Sequence, residues 1–224
     1  MFLEVCKDFV YFLSSESDLI GVCRCFSREA SAKWVFLCYN ERSIKMEKNV
    51  SIENYKPDFA VEAAYDLTVA DLKKQGIKAV LVDLDNTLIA WNNPDGTPEM
   101  RQWLHDLRDG GIRVIVVSNN SPKRVKRAVE KFDIDYEAWS LKPFTFGIDR
   151  ALKRFHYEKN EVVMVGDQLM TDIRAAHRAG IRSILVKPLV EHDSIKTQIN
   201  RARERRVMKQ MAEKYGPIVY KKGI

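Results

Sequence analysis

Val80-Leu81-Val82-Asp83-Leu84-Asp85-Asn86-Thr87-Leu88 joins an apolar run to two carboxylates two residues apart. Residues i and i+2 of a strand project to one side, so Asp83 and Asp85 leave the strand end together, where the backbone is free to bind something. Two carboxylates roughly 4 Å apart repel by about 4 kcal/mol at an effective dielectric of about 20, so the pair calls for a cation or a shared proton. Carboxylate and carbonyl oxygens suit Mg²⁺, which keeps several waters and is commonly completed by a substrate phosphate. No HExxH pair or His cluster accompanies these acids, which argues against zinc.

An open α/β sheet binds ligands at the carboxyl ends of its strands, so later strands should also end in polar residues. Ile112 to Val117 reads as such a strand and ends in Ser118-Asn119-Asn120, whose hydroxyl and amides can donate to phosphate oxygens; Pro122 then opens a basic helix. Leu141-Lys142-Pro143 offers an ammonium on backbone that the proline should keep extended. Val162 to Gly166 is a further apolar run; Asp167 follows it directly and Asp172 comes five residues later.

In that order, these residues resemble the four motifs of the haloacid dehalogenase (HAD) superfamily: Asp-x-Asp-x-Thr, a Ser/Thr after the second strand, a Lys, and Gly-Asp-x-x-x-x-Asp. The resemblance runs from about Lys78 to Lys187. It implies that Asp83 is the nucleophile and forms an aspartyl-phosphate. Asp85 would be the general acid for the leaving group and then the base for water. Ser118 and Lys142 would hold the phosphoryl oxygens, with Asn119 assisting. Mg²⁺ would be held by Asp83, Asp167 and the backbone carbonyl of Asp85, with Asp172 in support. An aspartate at position 85 resembles the superfamily's phosphatases and phosphomutases rather than its dehalogenases. The short spacings between the first three motifs leave no room for a sizeable cap domain, which favours hydrolysis over transfer. Asp83 to Pro94 and the Arg/Lys-rich helix near the C-terminus look most like the YqeG-type class IIIA phosphatases and their phosphatidylglycerophosphate phosphatase relatives. The substrate so implied is phosphatidylglycerophosphate. A soluble nucleotide, sugar or protein phosphate remains an alternative, as does a ribosome- or RNA-associated binding module with a vestigial core.

Around the motifs, strand patterns at 78–83, 112–117, 161–165 and 182–186 alternate with helix patterns at 98–109, 122–131, 144–155 and 171–179. Such alternation predicts an α/β Rossmann-like core, a parallel sheet with helices on both faces. Ile52 to Phe59 reads as a loop with aromatic anchors, and Val61 to Gln75 as one helix stopped by Gly76. The expected organisation is an N-terminal extension over 1–50, a phosphatase core over 51–190, and a basic helix and tail over 191–224.

All four cysteines, Cys6, Cys23, Cys25 and Cys38, fall in the first 38 of 224 residues. Their spacing contains no CxxC half-site, which disfavours zinc there. Lys7 and Asp8 interrupt the first apolar run, against a secretory signal. The extension reads as upstream sequence, with Met46 or Val50 nearer the natural start. No apolar run is long enough to span a bilayer, so the expected setting is cytoplasmic, with peripheral contact at the inner membrane face.

From Lys187 onward ten Lys/Arg face four acids, which accounts for the chain's whole net charge of +6. Ile195, Ile199, Met208, Met211 and Tyr215 fall near helical spacing, with Arg201, Arg203, Arg205, Arg206 and Lys209 on the polar surface. Such a helix can dock its stripe on the core or lie on an anionic lipid surface. Nucleic acid is the lesser expectation, because no aromatic residues are interleaved with the arginines. His105, His156, His177 and His192 read as structural or solvated, and Trp91 as a loop anchor or a residue at the mouth of the site.

Overall fold

The structure, a computed structural model, describes residues 9–13, 19–23, 51–90, 92–190 and 198–224. The chain divides into two compact units, Met1–Val50 and Ser51–Ile224. In the first, β1 (Phe9–Leu13) pairs antiparallel with β2 (Leu19–Cys23). The reading of 1–50 as an extension, and three of its four cysteines, fall outside the described residues.

The second unit is built on β3 (Phe59–Val61), β4 (Ala79–Val82), β5 (Arg113–Val117), β6 (Asp135–Glu137), β7 (Val162–Gly166) and β8 (Arg182–Val186). They form one parallel sheet in the order β3-β8-β7-β4-β5-β6. Its helices are α1 (Val69–Lys74), α2 (Pro98–Asp109), α3 (Pro122–Val129), α4 (Phe146–Phe155), α5 (Arg174–Ala179) and α6 (Gln198–Tyr215).

Period-two alternation sorts the strand residues between two apolar layers. Val80, Val82, Val114, Val116, Val163 and Val165 face the layer that holds Leu72 of α1, Met100 and Leu107 of α2, and Val125 and Val129 of α3. Ala79, Leu81, Ile115, Val117 and Met164 face Ile148 and Ala151 of α4 and Ala175, Ala176 and Ala179 of α5. Helices therefore cover both faces, and the strands read as continuous apolar runs. From β4 the chain winds outward through β5 to β6, then crosses back to β7 on the other side of β4. That reversal opens a crevice at the carboxyl end of β4, flanked by β5 and β7.

Val61 to Gln75 is not one helix. Phe59–Val61 pairs with β8, Ala64–Asp66 is a 3-10 turn, and α1 begins only at Val69. The cause is local capping and long-range pairing together. The Thr68 hydroxyl accepts the backbone N–H of Asp71, which fixes the helix start. The Asp58 carboxylate accepts both the backbone N–H and the hydroxyl of Ser183, at 2.8 and 2.7 Å, which pins the entry to β3 beside β8. Between the first two motif segments lie a loop and α2, and between the second and third lie α3 and β6. Among the described residues no cap is inserted in either interval.

The C-terminal segment packs on this core. Met211 of α6 is buried, and the buried Glu204 carboxylate accepts the backbone N–H of Leu169 at 2.5 Å. Arg205, Arg206 and Lys209 are left in solvent. Beyond α6 the chain returns to the edge of β3, where Lys221 donates its N–H to the Ala60 carbonyl (2.9 Å) and its carbonyl accepts from Glu62 (3.2 Å). This covers an edge that would otherwise present unpaired backbone groups. Removing residues 217–224 is expected to cost about 2 kcal/mol in a denaturant melt, two backbone hydrogen bonds at about 1 kcal/mol each. An unchanged midpoint would mean that β3 needs no such cover.

Candidate active site

Four polar side chains meet where β4, β5 and β7 end. Asp83 follows β4 directly and donates its backbone N–H to Val165 of β7 at 2.9 Å, so its position is tied to the neighbouring strand. Asp167 follows β7, and Asp172 rises from a π-helical turn over Leu169–Ile173. Each of these three aspartates brings a carboxylate oxygen within 4.8 Å of the other two. Into the cluster reaches Lys142, only 2% exposed, whose Nζ lies 2.6 Å from Asp83 Oδ1 and 2.8 Å from Asp172 Oδ1.

Three carboxylates against one ammonium leave a formal charge of −2 in a buried setting. That imbalance fits a hard dication on oxygen ligands, with Asp83, Asp167 and Asp172 as the available carboxylates. Asp172, expected only in support, thus belongs to the trio, and Asp85 does not. Burial pushes the Asp83 carboxyl up to about 7; Lys142 opposes the shift and Asp172 adds to it. Burial pulls the Lys142 ammonium down, but Asp172 and Asp83 outweigh it and carry the group above its ordinary value. The ammonium therefore stays charged.

Gly166 is what lets Asp172 approach. A Cβ at this position would fall 2.4 Å from Cβ, Cγ and Oδ2 of Asp172. The Asp172 carboxylate also accepts the backbone N–H of Gln168 at 3.1 Å. Thr87, buried, donates its hydroxyl to Asp167 at 3.1 Å. Asn86 takes a left-handed φ of 65° and holds Val190 through both ends of its amide, at 2.9 and 3.2 Å, which anchors the chain after β8 to the motif loop.

Asp85 faces the open side. Its carboxylate accepts from Asn120 Nδ2 and from Arg124 Nη2, both at 2.5 Å. Ser118, buried at the end of β5, accepts from the backbone N–H and the Nδ2 of Asn120, so hydroxyl and acid share one amide. Ser121 occupies the position that precedes α3.

Asn119 departs from expectation. Its Nδ2 donates to the Lys142 carbonyl (2.9 Å) and its Oδ1 accepts the Lys142 N–H (2.7 Å). This amide braces the lysine loop rather than reaching toward a phosphate. The loop is also not simply extended: Leu141 has φ 55° and the Lys142–Pro143 peptide is cis. Asn120 and Arg124 are the residues that reading by sequence missed. The only signals for them were an amide next to Asn119 and a basic helix after Pro122. Trp91 and His192 lie outside the described residues.

The chain is similar to several known proteins. A family model described as HAD-hydrolase-like matches residues 141–213. The "Probable phosphatase YqeG" of Bacillus subtilis is 35% identical over 160 residues, 71% of this chain and 93% of that one. A glyceraldehyde 3-phosphate phosphatase of Pyrococcus abyssi is 26% identical over 147 residues, 61% of each chain. Among solved structures, an uncharacterized protein from Listeria monocytogenes serotype 4b matches with a TM-score of 0.43 at 22% identity, covering 53% of this chain and 85% of that one.

Proposed function

Because this chain belongs to the haloacid dehalogenase (HAD) superfamily and is one of its phosphatases, we propose that it hydrolyses a phosphomonoester through an aspartyl-phosphate on Asp83. The observation that carries the proposal is the buried meeting of Asp83, Asp167, Asp172 and Lys142, with Asp85 beside it on the open side.

In this reading Asp83 Oδ attacks phosphorus, the bond to the leaving oxygen breaks, and Asp85 gives that oxygen its proton. Asp85, then ionised, takes a proton from water as the water attacks the acyl-phosphate, which releases phosphate and restores Asp83. Lys142 offsets charge on the nucleophile and on the transferred phosphoryl group, and the Ser118 hydroxyl donates to one of its oxygens. Asn119 fixes the lysine loop. Asn120 and Arg124 orient Asp85. The residues fit Mg²⁺ held by Asp83, Asp167 and Asp172, with the Asp85 carbonyl as a further oxygen. When bound it supplies positive charge to the nucleophile and the phosphate oxygens.

The proposed substrate is phosphatidylglycerophosphate. Support comes from the uncapped carboxyl end of the sheet, which admits a large partner. Further support comes from the cationic surface formed by Arg205, Arg206 and Lys209 of α6, which suits contact with anionic lipid on the cytoplasmic side. Among the described residues no helix is long and apolar enough to cross a membrane.

The test is phosphate release from phosphatidylglycerophosphate in mixed vesicles beside p-nitrophenyl phosphate, glycerol 3-phosphate and a nucleotide monophosphate, each with Mg²⁺ or with EDTA. The lipid should be preferred by at least about tenfold in kcat/KM and EDTA should abolish turnover. Equal turnover of lipid and soluble esters would remove the lipid assignment and keep the mechanism. Full activity in EDTA would remove the metal.

A further inference from the structure

Beside Asp85 runs a groove of about 360 Å³ that the chemistry above leaves unused. Leu84, Ile89 and Pro94 supply its apolar lining, and Arg124, Arg127 and Lys131 its basic lining. Arg124 and Arg127 stand at i and i+3 on α3, away from the valines that α3 buries in the core, and Lys131 lies in the 3-10 turn Glu130–Phe132 that follows the helix.

Their partners differ. Arg124 is bound to Asp85, and Lys131 pairs with Asp95 and lies over the Phe132 ring. Arg127 makes no hydrogen bond or ion pair among the described residues. An exposed arginine on a helix is ordinarily just solvated; Arg127 is set apart by lining a concavity that opens at the acid of the site.

Asp85 must touch the oxygen of the departing group, so a departing group held there can extend into this groove. We propose that the groove is the leaving-group subsite, and that it selects a leaving group carrying a phosphate ester of its own, held by the guanidinium of Arg127 with Lys131 beside it. The inference rests on Asp85 acting as the leaving-group acid.

Charge and spacing both favour this ligand. A guanidinium presents a planar fork that matches two phosphate oxygens, whereas the apolar lining suits the carbon bridge between two phosphates. Arg127 stands about 4.5 Å further along the helix axis than Arg124. That offset is on the scale of a short carbon bridge between the phosphate being removed and the one retained. The phospholipid proposed above has this arrangement: a terminal phosphomonoester on glycerol, then a phosphodiester leading to the acyl chains.

Steady-state kinetics of the wild type, Arg127→Ala and Lys126→Ala would test it, with Lys126→Ala as an exposed cation of α3 outside the groove. Three substrates separate the contributions: glycerol 3-phosphate, which lacks a second phosphate; the deacylated head group glycerophosphoglycerophosphate; and the diacyl lipid in vesicles. Arg127→Ala should lower kcat/KM for head group and lipid by about tenfold, mainly through KM, the size expected for a charge-assisted contact. Glycerol 3-phosphate, and every substrate with Lys126→Ala, should stay within about twofold of wild type. Equal losses on all three substrates, or none on any, would overturn the subsite. If the wild type turned over no ester at all, the proposed function would fall. Calorimetric binding of the head group to Asp83→Asn protein would then still decide the groove: weaker binding with Arg127→Ala supports it, and binding unchanged or absent overturns it.

Discussion

Asp83→Asn is expected to lower phosphate release by about 10⁴-fold or more, because the amide cannot form the acyl-phosphate on which both half-reactions depend. The shape of the side chain is kept, so the fold should persist, and linkage makes a second expectation sharper. Burial raises the Asp83 carboxyl to about 7, so between about pH 4 and 7 the folded, metal-free protein binds a proton that the unfolded chain has released. Stability from this group is therefore present below about pH 4 and is lost as pH rises through about 7. Asparagine carries no such charge. In EDTA, Asp83→Asn should melt above the wild type at pH 8, and the two should converge toward pH 4. Quenching the wild type in acid during turnover should trap phosphate on Asp83, and the variant should trap none. Activity above about 1% of wild type would mean that another group is the nucleophile.

The residues of the site that directly follow a strand could be found in the sequence because a parallel sheet buried on both faces writes its strands as apolar runs. Asp83 after β4 and Asp167 after β7 are of this kind, as is Ser118 after β5. Side-chain direction could not be found there. Asn119 and Asn120 are adjacent amides with opposite tasks, one braced on Lys142 and the other on Asp85, and only the path of the backbone separates them. Likewise Arg124 is one of four cations between 123 and 127, and nothing in its neighbours marks it as the partner of an acid 39 positions earlier.

The two short edge strands escaped for a different reason. β6 reads Asp135-Tyr136-Glu137, too short and too polar to show alternation. Its buried Glu137 is tolerated because Arg150 and Arg154 of α4 reach it at 3.0 and 3.3 Å. The pairing of β3 depends on Ser183, which is 125 residues away. In α6 the arginines drew attention to charge, whereas the one acid among them, Glu204, provides the buried anchor.

Gly166→Ala should lower activity by about 10²-fold, less than loss of the nucleophile but through space alone. No special backbone conformation is involved, since Gly166 is not among the residues with positive φ. The new methyl would fall 2.4 Å from three atoms of Asp172, and Asp172 has little freedom to retreat. Its carboxylate is held by the Gln168 N–H and by Lys142, and the residue is buried on a single π-helical turn. Relief must come from a shift of that turn or of β7, so overpacking should cost about 2–3 kcal/mol in a denaturant melt. The same shift displaces Asp172 and Asp167 against Asp83, and a displacement near 1 Å in such a cluster typically costs about 10²-fold in kcat/KM. Mg²⁺ should then raise the melting temperature of the variant less than that of the wild type, because the carboxylates no longer converge. A variant with wild-type stability and wild-type response to Mg²⁺ would show that Asp172 moves freely, and would remove it from the set of residues that hold the metal.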